Sequence, residues 1–193
     1  MGEKKIKFIN GEMLEYEILK LVDEYDPILN EPTIPVDFES MQGRDVAYHA
    51  MSIAETLGEL QGLGLSANQV GIKHRMCAIN MGEQIWILIN PTVTWSSTET
   101  SEFKEGCLSF PGLYLALKRP KSIKVKFQAI NGQVLEQQFD GLTATVIQHE
   151  IDHLDGICYT SKISPIKLDI AKRKVKSNLK KLKRVRTQGA VLA

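Results

Sequence analysis

The sequence predicts an α+β fold in which antiparallel sheets pack around a central helix, with an amphipathic helix at the C-terminal end. Segment 123–129 alternates apolar residues with lysine and glutamine, which is typical of a half-buried strand. Asn131-Gly132 then predicts a tight hairpin turn, and 134–139 returns as the partner strand. Apolar residues at helical spacing follow over 142–154, and this pattern predicts the central helix.

The other elements follow from the same two periodicities. Apolar residues three and four positions apart predict a helix over 44–60, which ends at a loop containing Gly62 and Gly64. An apolar stripe on an otherwise basic segment predicts a long C-terminal helix over 166–186. We further expect a short helix over 14–25, followed by proline-rich extended chain, and strands over 74–80, 84–90 and 92–97.

Length and composition indicate one domain, residues 1–193, with residues 1–20 as an N-terminal extension and 166–193 as a basic helix and tail. Hydrophobic residues make up 43% of the chain and charged residues 24%, which is typical of a water-soluble domain with a core. No apolar run approaches the roughly 18 residues of a membrane helix, so no membrane partner is expected. The three cysteines fit no disulfide framework, and this predicts a reducing compartment such as the cytoplasm.

Charge is distributed unevenly along the chain. The net charge is +1, yet 11 of the 24 basic residues and only one of the 23 acidic residues lie from Lys162 onward. An acidic body with a basic end suggests that this end meets an anionic partner. A helix that packs on the protein through its apolar stripe and exposes its basic face to solvent explains the same pattern. The sequence leaves both interpretations open.

The strongest chemical motif is His149-Glu150-Ile151-Asp152-His153 in the central helix. Residues i and i+4 of a helix share one face, so both imidazoles can converge on one metal ion. Glu150, beside a ligand, can exchange protons with a water activated by that ion. Two incidental histidines on a helix are the alternative, but the apolar neighbours predict burial, and burying these groups without partners is unfavourable. The sequence therefore predicts a metal-binding central helix.

A third ligand must come from elsewhere, because no histidine or glutamate follows His153. Cys107 is the favoured donor, because Gly106 and Pro111-Gly112 predict an irregular turn from which a thiolate can face a cleft. A buried structural cysteine is the alternative, and it is the interpretation we give to the two cysteines in apolar, strand-like settings. The full set of candidate third ligands is Cys77, Cys107, His49, His74 and Asp169.

Three segments together resemble the peptide deformylase family. Gly62-Leu63-Gly64-Leu65-Ser66-Ala67-Asn68-Gln69 resembles its G-x-G-x-A-A-x-Q motif, with Ser66 in place of the usual alanine. Glu105-Gly106-Cys107-Leu108-Ser109 resembles E-G-C-L-S, and Gln148 to His153 resembles Q-H-E-x-D-H. The resemblance spans about residues 20–185. It implies removal of the formyl group from the N-terminal formyl-methionine of new polypeptides, with release of formate.

The resemblance also implies a role for each matching residue. Cys107, His149 and His153 would bind one divalent metal ion, most often Fe(II) in the family, with Zn, Ni or Co able to replace it. The Gln69 amide and the Leu108 backbone N–H would hold the formyl oxygen, and Glu150 would move protons. Gly64 would let the peptide approach as an added strand. Leu63, Leu142 and Val146, together with Thr145, are candidates for the pocket that takes the methionine side chain, although plain core packing explains them equally well.

Two further interactions are expected, and neither excludes simpler explanations. Arg119 pairs with Glu105 beside Cys107, or else is a solvated surface arginine. The basic helix docks on the ribosome through rRNA phosphates, as the resemblance implies, whereas no DNA partner is expected. Three rival functions remain: a metalloprotease of the H-E-x-x-H type, an RNA- or ribosome-binding protein with a structural metal, and an inactive relative.

Overall fold

The computed structural model describes residues 4–9, 12–41 and 43–189 and shows an α+β arrangement of antiparallel strands and three α-helices. Short 3-10 helices lie in three of the connections between them. In chain order, the elements are β1 (Lys4–Ile9), β2 (Glu12–Glu17), α1 (Gly43–Glu59), β3 (Gly64–Ser66), β4 (Met76–Asn80), β5 (Ile85–Ser96), β6 (Thr100–Cys107), β7 (Phe110–Pro120), β8 (Ser122–Gln128), β9 (Val134–Asp140), α2 (Gly141–Leu154) and α3 (Pro165–Gly189).

The strands form three antiparallel groups. The largest is a five-stranded sheet in the order β3-β4-β5-β8-β9, and two hairpins, β1-β2 and β6-β7, stand apart from it. The predicted turn at Asn131-Gly132 joins β8 to β9, and Gly132 takes the positive φ of 82° that such a turn requires. The predicted fold class is therefore confirmed.

Helices α1 and α2 cover opposite faces of the five-stranded sheet. Alternate residues of β4 separate the two cores: Met76 and Ala78 pack with α1, whereas Cys77 and Ile79 pack with α2. This is the two-residue alternation of a strand that is buried on both faces. Since α2 also contacts β6 and β7, it lies between the sheet and that hairpin. Helix α3 closes the outer side of β7 with its apolar stripe, through Leu168, Ala171 and Val175.

The predicted helix over 14–25 is wrong. Residues 12–17 form strand β2, which pairs with β1 through Lys7 and Leu14 among others, and the chain from 18 to 26 is irregular. Contacts with α1 fix this path, because the backbone N–H of Glu17 donates to Ser52 Oγ at 3.0 Å and that of Leu19 to Thr56 Oγ1 at 2.9 Å. Tertiary pairing thus outweighs local periodicity here.

Two strand predictions also need correction. The expected strands 84–90 and 92–97 are one strand, β5, whose pairing with β8 shifts register between Ile89 and Thr92, where Pro91 interrupts the ladder. The expected strand from 74 begins only at Met76. The β6-β7 hairpin was not predicted as a hairpin. In the part of the chain that the structure describes, no helix is both long enough and apolar enough to cross a membrane.

Candidate metal centre and catalytic cleft

Helix α2 presents both histidines of the motif toward β6. The ring centroids of His149 and His153 lie 4.9 Å apart, with their planes at 75°. Both side chains are buried, His153 completely so. Burial, and next the charge of His149, lower the pKa of His153 to about 3, which leaves a neutral imidazole with a free lone pair. The pair has the one-face placement that the i, i+4 spacing predicts.

The end of β6 brings Cys107 to the same point. Its Sγ lies 3.2 Å from Nε2 of His153, and the ligand atoms of Cys107, His149 and His153 all lie within 4.8 Å of one another. Among the described residues, no other group of three histidine, cysteine or acidic side chains is this close. One thiolate and two imidazoles are a donor set that suits a borderline-soft divalent ion such as zinc or iron. The residues present therefore fit a metal ion.

The remaining candidate ligands lie elsewhere. His49 is on α1, and His74 precedes β4. Asp169 is on α3 and pairs with Arg173 at 2.7 Å. Cys77 is buried in the core beneath α2, and Cys158 is buried beside the carbonyl oxygen of Leu29, so both cysteines are structural, as predicted.

A buried carboxylate fixes the ring of His149. Oε2 of Glu105 lies 2.8 Å from His149 Nδ1 and also accepts a hydrogen bond from Arg119 Nη2 at 2.9 Å, while Arg119 Nε donates to Oε1. Burial alone would raise the pKa of Glu105, but the hydrogen bonds from Arg119 and His149 outweigh it and lower the pKa to about 2. With Nδ1 held in this way, Nε2 is the nitrogen of His149 that remains for a metal.

Arg119 links this carboxylate to the motif itself. Its Nη1 donates to Asp152 Oδ2 at 2.7 Å, and Lys162 Nζ donates to Asp152 Oδ1 at 2.9 Å. The predicted pairing of Arg119 with Glu105 is present, and the arginine is buried, with only 5% of its surface exposed. Asp152 therefore joins α2 to β7 through this guanidinium.

Gln69 stands beside Cys107 with its amide orientation fixed. The Ser66 backbone N–H and the Ser66 hydroxyl both donate to Gln69 Oε1 at 2.9 Å. Since a backbone N–H can only donate, the opposite amide atom must be the nitrogen. That Nε2 faces Ser109 Oγ at 3.1 Å and Cys107 Sγ at 3.4 Å. Gln69 thus offers a donor to whatever binds next to the thiol.

Glu150 lies in the wall of the same cleft and is 3% exposed. Its Oε2 is buried and makes no hydrogen bond to the described residues. Burial raises the pKa of Glu150 to about 7, against the opposing effects of His149 and Ser66. A carboxyl group with a pKa near neutrality can both take up and release a proton.

The cleft has a volume of about 430 Å³ and is open to solvent. It is bordered by the predicted substrate residues Leu63, Gly64, Leu142 and Val146, together with Thr145 and Leu108. The side chains of Leu63 and Leu142 are about half exposed, at 52% and 50%, which suits a pocket rim better than a core. Phe103, Lys104 and Tyr114 also line the cleft, although no motif in the sequence singles them out.

Comparison with known proteins agrees with this geometry. A family model described as polypeptide deformylase matches residues 18–169. The chain belongs to the polypeptide deformylase family. A peptide deformylase from Bartonella tribocorum is 39% identical over 179 residues, which cover 89% of this chain and 97% of that protein. One from Thermotoga neapolitana is 36% identical over 156 residues, covering 76% of this chain and 93% of the relative.

Solved deformylase structures share the fold. A peptide deformylase from Synechococcus elongatus in complex with actinonin superposes with a TM-score of 0.76 at 31% identity, covering 82% of this chain and 86% of that one. The enzyme from Thermotoga maritima gives a TM-score of 0.71 at 34% identity, covering 77% and 99%. As a member of this family of enzymes, the chain is a hydrolase. The β1-β2 hairpin lies before the residues that the family model matches.

Proposed function

We propose that this deformylase hydrolyses the formyl amide of N-formyl-methionyl peptides, releasing formate and a free N-terminus. The observation that carries the proposal is the convergence, in one cleft, of the Cys107, His149 and His153 donors, the Gln69 amide and the Glu150 carboxyl group. The domain 1–193 would act as one catalytic unit. A metalloprotease of the H-E-x-x-H type is less favoured, because its third ligand lies downstream of the motif, whereas Cys107 lies upstream.

Cys107, His149 and His153 would hold one divalent ion, and we propose Fe(II) as the ion in the cell, with Zn, Ni or Co able to substitute. When bound, such an ion supplies a Lewis acid and an activated water. Glu105 keeps His149 in the orientation that ligation needs, by holding its Nδ1. Outer-shell partners of this kind change metal affinity by about 10- to 100-fold when they are removed.

The formyl oxygen would be held by two donors beside Cys107. Gln69 Nε2 is one, since its amide is locked by Ser66 and Ser109. The backbone N–H of Leu108, the residue after Cys107, is the other. Donors fixed in advance stabilise the negative charge that develops on this oxygen in the transition state, without the cost of reorganising water.

Glu150 would move the proton. Its carboxyl group is buried next to His149 and lies against the backbone of Gly64. It would accept a proton from the attacking water and deliver it to the nitrogen of the departing amine, which leaves as the free amino group. Its raised pKa suits both halves of that transfer.

The substrate would enter as an extended peptide along β3, where Gly64 allows close approach of another backbone. The methionine side chain would then contact Leu63, Leu142 and Val146, the apolar residues around the cleft. We place the reaction in the cytoplasm, where formylated nascent chains are made.

We further propose that α3 docks on the ribosome through its basic face. Its exposed lysines include Lys172, Lys176 and Lys180, while its apolar stripe is engaged on β7. Replacing these three by glutamate should weaken salt-sensitive ribosome binding and leave hydrolysis of a short peptide unchanged. Ribosome affinity at low salt that matches wild type would reject this part of the proposal.

The reaction itself is tested by formate release from an N-formyl-Met peptide, using protein purified anaerobically. The wild-type protein should release one formate for each peptide that it deformylates, whereas Glu150→Gln and Cys107→Ser should be nearly inactive. The acetylated peptide serves as the control substrate and should be cleaved slowly or not at all. Activity that is indifferent to both substitutions would overturn the proposed function.

A further inference from the structure

Two of the four histidines lie outside the candidate metal centre and close to each other. His49 is on α1 and His74 directly precedes β4, and their ring centroids are 5.6 Å apart with planes at 31°. Both rings border a second cavity, of about 650 Å³, between the β1-β2 hairpin and α1. None of the residues around this cavity lines the catalytic cleft.

Each of these rings buries a nitrogen that has no partner. Nδ1 of His49 and Nδ1 of His74 are both enclosed, and neither makes a hydrogen bond within the described part of the chain. Buried polar atoms are nearly always satisfied, so each exception needs a physical explanation. Two exceptions on neighbouring rings are most simply explained by one ligand that both rings share.

The cavity border carries two basic side chains, Lys4 and Arg44, and two acidic ones, Glu15 and Asp45, so its charges balance and do not oppose a cation. Its two basic side chains, Lys4 and Arg44, are both paired with Glu15, each at 3.4 Å. Asp45, one helical turn before His49, borders the same cavity, and among the described residues it takes part in no ion pair. Burial, and next the charge of His74, lower the pKa of His49, so its imidazole keeps a free lone pair at neutral pH.

The spacing of the rings matches shared ligation. With metal–nitrogen bonds of about 2.1 Å, two imidazoles at angles between tetrahedral and trigonal have centroids roughly 5.3 to 5.6 Å apart. The His49–His74 pair, at 5.6 Å, lies at the upper limit of this range, whereas the rings of His149 and His153 are closer together, at 4.9 Å. Imidazole ligands suit zinc, nickel and copper ions.

We propose that His49 and His74 form a second metal site, which binds a divalent transition-metal ion through two imidazoles and water, with Asp45 balancing the charge. This site joins α1 to the segment that leads into β4. An ion bound there stabilises the folded state in proportion to its occupancy, because the unfolded chain does not hold the two rings together.

The test uses the holoenzyme with one equivalent of zinc already in the catalytic centre. The zinc added in the titration then replaces no other metal at that centre. Calorimetric titration with Zn²⁺ should show one further equivalent bound. In the proton–carbon correlation spectrum of the histidine rings, only the signals of His49 and His74 should shift during that titration. The melting temperature should rise as the second equivalent binds.

His49→Asn and His74→Asn should each weaken this second binding event by about 10-fold or more, since losing a ligand costs at least as much as losing an outer-shell partner. Glu39→Gln, which removes an exposed carboxylate outside the cavity, is the matched control and should bind as wild type does. No second equivalent, or one that persists in both histidine variants as adventitious surface binding, would overturn the proposal. Should a variant fail to fold, the wild-type spectrum decides, because unshifted His49 and His74 signals also overturn it. The readouts are independent of formate release, so the outcome does not depend on the proposed reaction.

Discussion

The Glu150 carboxyl group lies directly against the backbone of Gly64. A Cβ built on Gly64 would meet Cγ and Cδ of Glu150 at 2.8 Å and would be closer still to Oε1. Real Cβ atoms do not approach other atoms this closely, so any side chain at position 64 must displace the carboxyl group. The G-x-G motif and the H-E-x-x-H motif, 86 residues apart in the chain, therefore depend on each other in space.

Gly64→Ala should lower kcat/KM by about 100-fold, because a displacement of roughly 1 Å at a catalytic group has that order of effect. Formate release would be measured, with metal content determined in parallel. The matched control is Gly58→Ala in α1, where the added Cβ meets only Ile85 Cδ1 at an ordinary 3.7 Å. That variant should keep full activity and gain slightly in stability. Equal activities of the two variants would contradict the contact.

Gln69→Glu should reduce kcat/KM by about 100- to 1000-fold, the usual cost of losing one donor to a developing oxyanion. The substituted carboxylate still accepts the hydrogen bond from the Ser66 N–H but presents an oxygen where Nε2 now stands. Metal content should remain close to wild type, since Gln69 is not among the ligands. A loss of less than about threefold would show that the amide does not act on the substrate.

Arg119→Met should destabilise the fold by about 3–5 kcal/mol, because it leaves Glu105 as a buried charge without its main partner. The free energy of unfolding would be measured in urea. The double variant Glu105→Gln/Arg119→Met removes both charges and should recover much of that loss. If the loss of stability in the double variant equals the sum of the losses in Glu105→Gln and in Arg119→Met, the two residues are not coupled.

The stability of the metal-free protein should fall with acidification through Glu105. Its pKa is 4.5 ordinarily and about 2 in the folded protein, so the folded state binds fewer protons than the unfolded state between these values. The ion pair of Glu105 with Arg119 therefore contributes fully to the free energy of unfolding above about pH 4.5, and this contribution is lost as the pH falls toward 2. Urea unfolding between pH 6 and 3 should give a flatter pH dependence for Glu105→Gln than for wild type. Parallel curves would contradict the lowered pKa.

Local sequence patterns were enough to predict the elements that have a clear apolar periodicity or a clear turn signal. Helices α1 and α2 and the β8-β9 hairpin fall close to their predicted bounds. The local pattern at β2 predicts a helix, whereas its strand conformation depends on β1 and on the Ser52 hydroxyl of α1. The β6-β7 hairpin was missed, although the alternation of Leu113, Leu115 and Leu117 was a usable signal of a strand.

The metal donors were accessible from sequence because two of them share one helical face and the third lies between Gly106 and Pro111-Gly112, at the end of β6. The partners that orient them were not. The contact from Glu105 to His149 joins residues 44 positions apart, and the Gln69 contact to Ser109 joins residues 40 apart. Neither contact leaves a periodic trace, since the first depends on how β6 packs against α2 and the second on how the segment after β3 meets the turn between β6 and β7.

The central claim is that Cys107, His149 and His153 hold one ion together. X-ray absorption at the zinc edge tests it most directly, on protein loaded with a single equivalent of zinc. The spectrum should show one sulfur at about 2.3 Å and two imidazole nitrogens at about 2.0–2.1 Å. Cys107→Ser should lose the sulfur shell. A wild-type spectrum with no sulfur at that distance would contradict the account.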